Sequence, residues 1–467
     1  MATPKGGFYH SELAYIDEDG NGVFVRNGAF NSNEAKPRAA TGVPDLASGS
    51  TIYEPDTGNE FAYNRPADEW EPKAPMQDSV DLLRVLVNGQ VFDNWGAIRE
   101  VVRQGRAQDY FNIGDQLEVS WVNGGSTYKL PFDIVSFDPV IKEGETDPVP
   151  GLWLESHYAM DPVQFDASEA IYVTDVALPA GTYNFTIGTN WGTHCVAGTV
   201  YQFTTTKEIP AGGQIMVGKN NDWYAWGAPD QDPANWRVHT FASNAATTPL
   251  ESNLALTEGS GGTALGSIAS DVKYSENGVN NLQRAGYGYN RWSMSAMRQY
   301  LNSEEAAGGW WLPKNPFDRA PQQLASLAGF LSGFGKDFLD AIGKVKVTTA
   351  LNTVSDTDIG SSEDTYDKFF LASLEQEYIV PQAAGVEGAY WPYWKDRLGT
   401  DTPQAQYSTD PRHIRYGYDA KTSAQYCRLR SAYRGYANNT WYVSTSGYVG
   451  NYLATSAHRG CPACVIC

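Results

Sequence analysis

Ser431-Ala-Tyr-Arg-Gly-Tyr-Ala-Asn-Asn-Thr-Trp-Tyr-Val-Ser-Thr-Ser-Gly-Tyr-Val-Gly-Asn-Tyr-Leu-Ala-Thr-Ser-Ala-His458 is the stretch that decides how this chain is read. From Ser431 to Cys467 there is no Asp, Glu, Lys, Gln or Met, although the whole chain carries a net charge of -20. Tyr433, Tyr436, Tyr442, Tyr448 and Tyr452 stand there instead, interleaved with Asn, Ser, Thr and Gly. Tyrosine offers a large contact area for only two side-chain torsions, and small polar neighbours adapt their hydrogen bonds to a partner. Trp441, Val443, Val449 and Leu453 are spaced between them as a scaffold. On residues alone, a Tyr-rich β-meander with aromatic cross-strand pairs fits equally well.

Upstream of this stretch, Phe369-Phe-Leu-Ala-Ser373 has the apolar run of a buried strand. Ser293 is a candidate cap for a helix through Leu301, with Met294, Met297, Tyr300 and Leu301 on one face. Leu324, Leu327, Phe330 and Leu331, then Phe338, Leu339 and Ile342, repeat at helical spacing, with Gly343 ending the last before a strand from Lys344. Residues 164–218 read as all β: Tyr183, Phe185 and Ile187 alternate, as do Tyr201, Phe203 and Thr205. Residues 220–263, with Trp223, Trp226 and Trp236, read as loop. Nearer the N-terminus, Asn94 caps a helix carrying Trp95, Ile98, Val101 and Val102 and closed by Gly105. Leu117, Val119 and Trp121 then alternate, followed by a strand run from Leu130 to Val140. Two hairpins are expected before a Pro-rich linker at 65–75: one around Asp17-Glu-Asp-Gly-Asn-Gly22, one turning at Asp56-Thr-Gly58. The first resembles a calcium loop only at its start, because the twelfth position is Gly28 where a bidentate Glu is required.

At 467 residues, several domains are expected. The acidic balance argues against nucleic-acid binding, which needs basic patches. No run approaches the ~20 apolar residues of a membrane span, and the N-terminus lacks the apolar core of a secretory signal. The five cysteines, Cys195, Cys427, Cys461, Cys464 and Cys467, do not form a disulfide framework and suit a reducing cytosol.

Tyr287-Gly-Tyr-Asn-Arg-Trp-Ser-Met-Ser-Ala-Met-Arg-Gln-Tyr-Leu-Asn302, Phe369–Ser373, Leu429-Arg-Ser431 and Pro462-Ala-Cys-Val-Ile466 together resemble a family of phage and gut-bacterial proteins with a C-type-lectin-like (formylglycine-generating-enzyme-like) fold. Residues 177–218 resemble the β insertion that such phage proteins carry. Some members are the hypervariable proteins of diversity-generating retroelements, in which mutated template adenines turn an Asn codon into Tyr, Ser, Gly, Thr, His, Asp, Arg or Cys but not Lys, Gln, Glu, Met or Trp. The resemblance implies an α+β fold: a small N-terminal β attachment segment with linker (1–76), a C-type-lectin-like domain in two parts (77–162 and 276–467), an inserted β-sandwich-like domain with loops (163–275), and a variable region (431–458). It implies ligand contact by Tyr433, Tyr436, Asn438, Asn439, Tyr442, Ser444, Ser446, Tyr448, Gly450, Asn451, Tyr452, Ser456 and His458, with Trp441, Val443, Gly447, Pro462 and Ala463 as fixed scaffold. The family commonly has Trp before Leu-Arg-Ser, and this chain has Arg428, so the anchoring of the variable strand must differ.

The expected function is that of a phage receptor-binding adhesin, made in the bacterial cytoplasm and carried on the virion (tail, collar or capsid surface). Its expected partners are a host-surface protein or glycan, other virion proteins through the N-terminal segment, and two further copies in a homotrimer, with no nucleic acid and no membrane insertion. The alternative is a cell-encoded lectin-like interaction protein of fixed specificity. No cofactor, metal or catalytic residue is expected. Cys461, Cys464 and Cys467 have CxxC spacing beside His458, but a zinc site usually draws two separated ligand pairs together. Formylglycine-generating enzymes use a paired-cysteine site, and no such pair is assignable from this sequence. His194 and Cys195 are neighbours, which in a strand point to opposite faces. Trp310-Trp311 and Trp391-Pro-Tyr-Trp394 read as loop anchors ahead of sugar-stacking platforms.

Overall fold

The computed structural model describes residues 7–16, 21–30, 35–40, 43–48, 50–53, 60–64, 66–72, 94–219, 232–269 and 278–467. It divides into two compact units, Met1–Leu82 and Leu83–Cys467. The first holds a five-stranded sheet, β1 (Gly7–Ile16), β2 (Gly22–Ala29), β3 (Thr51–Tyr53), β4 (Glu60–Asn64) and β5 (Glu69–Pro72), in that order. β2 and β3 run parallel and the other neighbours antiparallel. Both expected hairpins pair as strands, β1 with β2 and β3 with β4; most of the first turn (17–20), the second turn at 56–58 and the 76/77 boundary lie outside the described residues.

In the larger unit, α1 (Trp95–Arg103) starts where the Asn94 side chain accepts from Ala97 N, and it buries Trp95, Ile98 and Val102. β6 (Gln116–Asn123) follows with Leu117, Val119 and Trp121 inward and Gln116, Glu118 and Ser120 outward. β7 (Ser126–Ser136), β8 (Leu152–Ser156) and the two-residue β9 (Val163–Gln164) complete the first pass.

The chain then forms two four-stranded sheets from β10 (Tyr172–Val173), β11 (Gly181–Ile187), β12 (Val200–Thr205), β13 (Gln214–Lys219), β14 (Trp236–Phe241), β15 (Glu251–Ala255), β16 (Thr257–Glu258) and β17 (Thr263–Ile268). Their orders are β10-β13-β14-β15 and β16-β12-β11-β17. Tyr183, Phe185, Ile187 and Phe203 from one sheet and Ile215, Val217, Trp236 and Val238 from the other share an apolar cluster. The expectation of loop at 220–263 is corrected for the described part, which supplies β14, β15 and β16. Trp236 and Val238 were too short an apolar signal alone, and β14 is held by pairing with β13 on one side and β15 on the other. Trp223 and Trp226 lie outside the described residues.

α2 (Leu282–Tyr287) packs on that insert, and α3 (Ala296–Leu301) begins at Ser295, whose hydroxyl accepts from Arg298 N. The expected cap at Ser293 is therefore displaced by two residues. Glu363 accepts from the Ser293 amide and the Arg291 guanidinium and holds Trp292–Met294 as a separate 3-10 turn. Leu324 to Leu331 is likewise two 3-10 turns, not a helix. Between them Gly329 presses on the Ser303 backbone, where a Cβ would come within 2.3 Å of the carbonyl oxygen. α4 (Lys336–Ala341) is helical and packs Phe338 edge-on to Trp95 of α1, with ring centroids 4.7 Å apart.

β18 (Val345–Ala350) pairs with β19 (Ser362–Asp367), and β20 (Phe370–Leu371) is the buried strand expected at Phe369–Ser373. α5 (Pro392–Leu398), then the short pair β21 (Arg415–Tyr416) and β22 (Ala424–Gln425), lead to the C-terminal strands. These are β23 (Cys427–Ala432), β24 (Asn439–Val443), β25 (Val449–Leu453), β26 (Ala457–Gly460) and β27 (Pro462–Ile466). β27 inserts between β20 and β8, giving the antiparallel sheet β20-β27-β8-β7-β6. The remaining strands form the sheet β25-β24-β23-β26-β9. Val163–Gln164, placed with the insert by sequence, thus pairs with the C-terminal sheet. The observed class is mixed α/β with strands dominant. Among the described residues no helix is long and apolar enough to cross a membrane.

Candidate functional site

The Leu429-Arg430-Ser431 landmark is a buried anchor. Arg430 donates to the carbonyls of Leu371 (2.8 Å) and Glu387 (2.6 Å) and to the Gln376 side chain. Ser431 Oγ donates to the Glu387 carboxylate and accepts from Leu374 N. Arg428, two residues before Arg430 on the same strand, makes a second buried anchor. Its guanidinium is 1 % exposed and donates to Thr440 Oγ1 (2.6 Å) and to the carbonyls of Tyr452 (3.1 Å), Leu453 (3.0 Å) and Ser456 (2.8 Å). It therefore holds β24, the end of β25 and the following turn to β23.

Residues opposite one another in an antiparallel pair share a face, and successive residues alternate. β24 sets Asn439 opposite Leu453, Thr440 opposite Tyr452, Trp441 opposite Asn451, Tyr442 opposite Gly450 and Val443 opposite Val449. One face carries Trp441, Val443 and Val449 into the core. At its rim, Tyr433 and Tyr407 pack on Trp441 with centroids 5.5 and 5.3 Å away, and Asn439 Nδ2 donates to Asn451 Oδ1, whose amide donates to Tyr407 OH. Tyr436 stacks on Tyr433 and is 46 % exposed.

The opposite face gathers a second aromatic group above Arg428. The His458 ring lies 5.9 Å from Tyr452 and nearly parallel to it, 5.5 Å from Tyr442 edge-on, and 5.3 Å from Tyr426. Tyr426 and Tyr452 are close to half exposed. Burial first, and then the neighbouring guanidinium of Arg428, pushes His458 down to about 3, so the ring is neutral. Its Nδ1 is buried without a hydrogen-bond partner among the described residues.

The sequence-predicted contact residues separate accordingly. Tyr436, Ser446 and Tyr452 are exposed, and Tyr433, Asn439, Tyr442, Tyr448, Asn451, Ser456 and His458 are half-buried. Three are corrected: Asn438, Ser444 and Gly450 are buried and offer no contact surface. The Ser444 hydroxyl accepts from the Ser446 and Tyr448 amides to shape the turn. Gly450 leaves room for its neighbours, since a Cβ there would sit 2.9 Å from Tyr442 OH and 2.9 Å from Tyr448 Cε1. The residues expected as scaffold, Trp441, Val443, Gly447, Pro462 and Ala463, are all buried. Gly447 is held to glycine by φ +81° and by the Asp410 carbonyl, 2.0 Å from where a Cβ would be. Sequence reading missed Tyr407 and Tyr426, which lie outside the Tyr-rich stretch. Among the described residues the exposed tyrosines are Tyr390, Tyr407, Tyr416, Tyr426, Tyr436 and Tyr452, all in the last part of the chain.

Other candidates settle on geometry. Trp310, Trp311, Trp391 and Trp394 are buried anchors; Trp394 Nε1 donates to Glu155, and Arg415 lies 4.3 Å over its ring. Cys464 and Cys467 sit in the main core. Cys461 instead meets Cys427, with the sulfurs 3.1 Å apart, a contact that the sequence did not assign. The parallel pairing of β23 with β26, Cys427 opposite Arg459 and Arg428 opposite Gly460, creates a neighbour relation that spacing does not show.

Asp166, Glu169 and Asp318 also converge, their carboxylate oxygens lying within 4.8 Å of one another. Arg284 forks onto Glu169 at 2.9 and 3.0 Å, and Asn280 and Asn315 donate to the same carboxylate. Burial, then the Glu169 charge, pushes Asp318 up to about 8. Protein donors thus tie the residues after β9 to α2 and to the loop at 313–319.

Residues 269–466, which take in α2, α3 and both β23 and β27, match the model of a domain of unknown function (DUF6273). No curated protein and no solved structure matches the chain.

Proposed function

We propose that this chain is a phage adhesin of C-type-lectin-like fold that binds a host-surface protein or glycan, without catalysis, through the C-terminal sheet. The observation that carries the reading is the aromatic group Tyr426, Tyr442, Tyr452 and His458, half open to solvent and seated on the buried anchor Arg428. Rigid aromatic area ringed by Ser, Asn and Gly is the chemistry of adaptable recognition surfaces. A catalytic thiol has to be reached by substrate, and Cys427 and Cys461 are each only 2 % exposed. In this reading the variable region is 431–458, the first 76 residues dock on the tail, collar or capsid surface, and a homotrimer adds avidity.

Binding of the purified full chain to host cells tests the reading. Tyr426→Ser with Tyr452→Ser should weaken binding at least tenfold, as loss of central aromatic anchors does. Leu312→Ser, at a residue 66 % exposed outside this sheet, should leave it unchanged. Equal binding by all three proteins would overturn the proposal. A monomer in native mass measurement would remove the trimer. Sequencing the codons for 431–458 in a propagating population separates the alternative, a cell-encoded binder of fixed specificity: substitutions at the half-buried and exposed Tyr, Asn, Ser and His positions favour the adhesin, and an invariant stretch favours the alternative.

A further inference from the structure

Cys427 and Cys461 take no part in the aromatic surface. Cys427 opens β23, and Cys461 directly follows β26, which runs parallel to it. The two sulfurs are in contact at 3.1 Å and share a small apolar cluster with Ala159. The other cysteines are placed apart from this pair, Cys195 in the core of the insert and Cys464 and Cys467 in the main core. No acid, base or metal ligand is needed to explain the contact; what it supplies is two thiols positioned for one bond. We propose that Cys427 and Cys461 are a disulfide-forming pair whose bond closes a loop containing all of Ser431–His458.

The chemistry is thiol–disulfide exchange with a low-molecular-weight disulfide such as oxidised glutathione. One cysteine thiolate attacks a glutathione sulfur, breaks its S–S bond and releases one glutathione thiolate. The second cysteine, losing its proton, attacks the protein sulfur of the mixed disulfide and expels the second glutathione. Two protein thiols are oxidised, one glutathione disulfide is reduced to two thiols, and the cysteine protons pass to the leaving thiolates. The hydrogen bond to Cys461 and burial both push the Cys427 thiol above its ordinary range, so exchange proceeds through an opened tail and is slow in the folded protein. The bond joins residues 34 apart, and a crosslink of that span restricts the unfolded chain, stabilising the tail after release into an oxidising medium. The inference stands whether or not the aromatic surface binds a receptor.

The test uses the full chain, equilibrated with excess oxidised glutathione in a urea concentration that loosens the tail, returned to buffer, then denatured and alkylated with iodoacetamide. Of the five free cysteines, three should be alkylated. The unalkylated protein should be lighter by two hydrogen atoms, and a non-reducing digest should yield one linked peptide pair joining Cys427 to Cys461. The oxidised protein should melt on the order of 4 °C above the reduced one, and that shift should vanish in the Cys427→Ala, Cys461→Ala double variant. Alkylation of all five cysteines after this treatment, or a bond from Cys461 to Cys464 or Cys467, would overturn the proposal. The mass measurement is made on the unaltered chain and does not depend on any variant folding.

Discussion

Replacing Arg428 by Met keeps the length and apolar volume of the side chain and removes its donors. Three backbone carbonyls, of Tyr452, Leu453 and Ser456, then lose a charged donor inside the protein. A buried acceptor left unmade costs about 1–3 kcal/mol. Against this stands the relief of no longer desolvating a guanidinium that has no carboxylate partner among the described residues. The Leu453 carbonyl keeps the Ser456 amide at 3.1 Å, so taking the Tyr452 and Ser456 carbonyls at the middle of that range and allowing for the relief leaves a net loss of about 2–3 kcal/mol. The loss should be local, because every contact broken lies between Thr440 and Ser456. Hydrogen exchange followed by mass spectrometry should show amides in 449–459 exchanging roughly 30- to 150-fold faster, that free energy expressed as an opening constant. Peptides covering β20 and β27, in the other sheet, should keep the exchange of the parent. Unchanged or slower exchange at 449–459 in Arg428→Met would refute the reasoning and show that desolvation outweighs the carbonyl bonds.

Three further outcomes are expected. Gly450→Ala places a Cβ against Tyr442 OH and Tyr448 Cε1 and should cost about 1–3 kcal/mol through overpacking, read as a lower urea midpoint. His458 has a folded pKa of about 3 against an unfolded value of about 6.5. The unfolded chain therefore takes up the proton first, and stability present above about pH 6.5 is lost as pH falls toward 3. Urea midpoints measured from about pH 7 to about pH 4 should fall less steeply in His458→Phe, and also in Arg428→Met, where the repelling charge is gone. Arg284→Met strands Glu169 beside Asp166 and Asp318, and breaking such a buried pair from one side should cost about 3–5 kcal/mol in urea denaturation; a loss under about 1 kcal/mol would show that Asn280 and Asn315 suffice.

Much of the local structure was legible because its causes are local. Asn94 and the Trp95, Ile98, Val102 stripe define α1 within one sequence window, and the period of two at Leu117, Val119 and Trp121 defines β6. The Tyr-rich composition of 431–458 and the apolar spacing of Trp441, Val443 and Val449 likewise needed no partner to be seen, and these three are buried. Where local signals competed, the sequence misled. Ser293 and Ser295 are both capping residues, and only the Glu363 carboxylate, dozens of residues away, decides that the helix starts at the second. Helical spacing from Leu324 to Leu331 yielded to the close approach of Gly329 to Ser303.

The sequence by itself determined that the C-terminal stretch is aromatic, small and uncharged by carboxylate or lysine, with its apolar members alternating as strands do. Tertiary structure alone decided which of those residues face solvent. The pairing of β24 with β25 sends Tyr442 and Tyr452 to one face and Trp441 and Asn451 to the other, and the folded chain buries Asn438, Ser444 and Gly450. Tyr407 and Tyr426 join the surface from outside the stretch, and Cys461 meets Cys427 through a parallel register. The physical reason is that a period of two is a property of one strand, whereas face, register and neighbour are properties of pairs of strands distant in sequence.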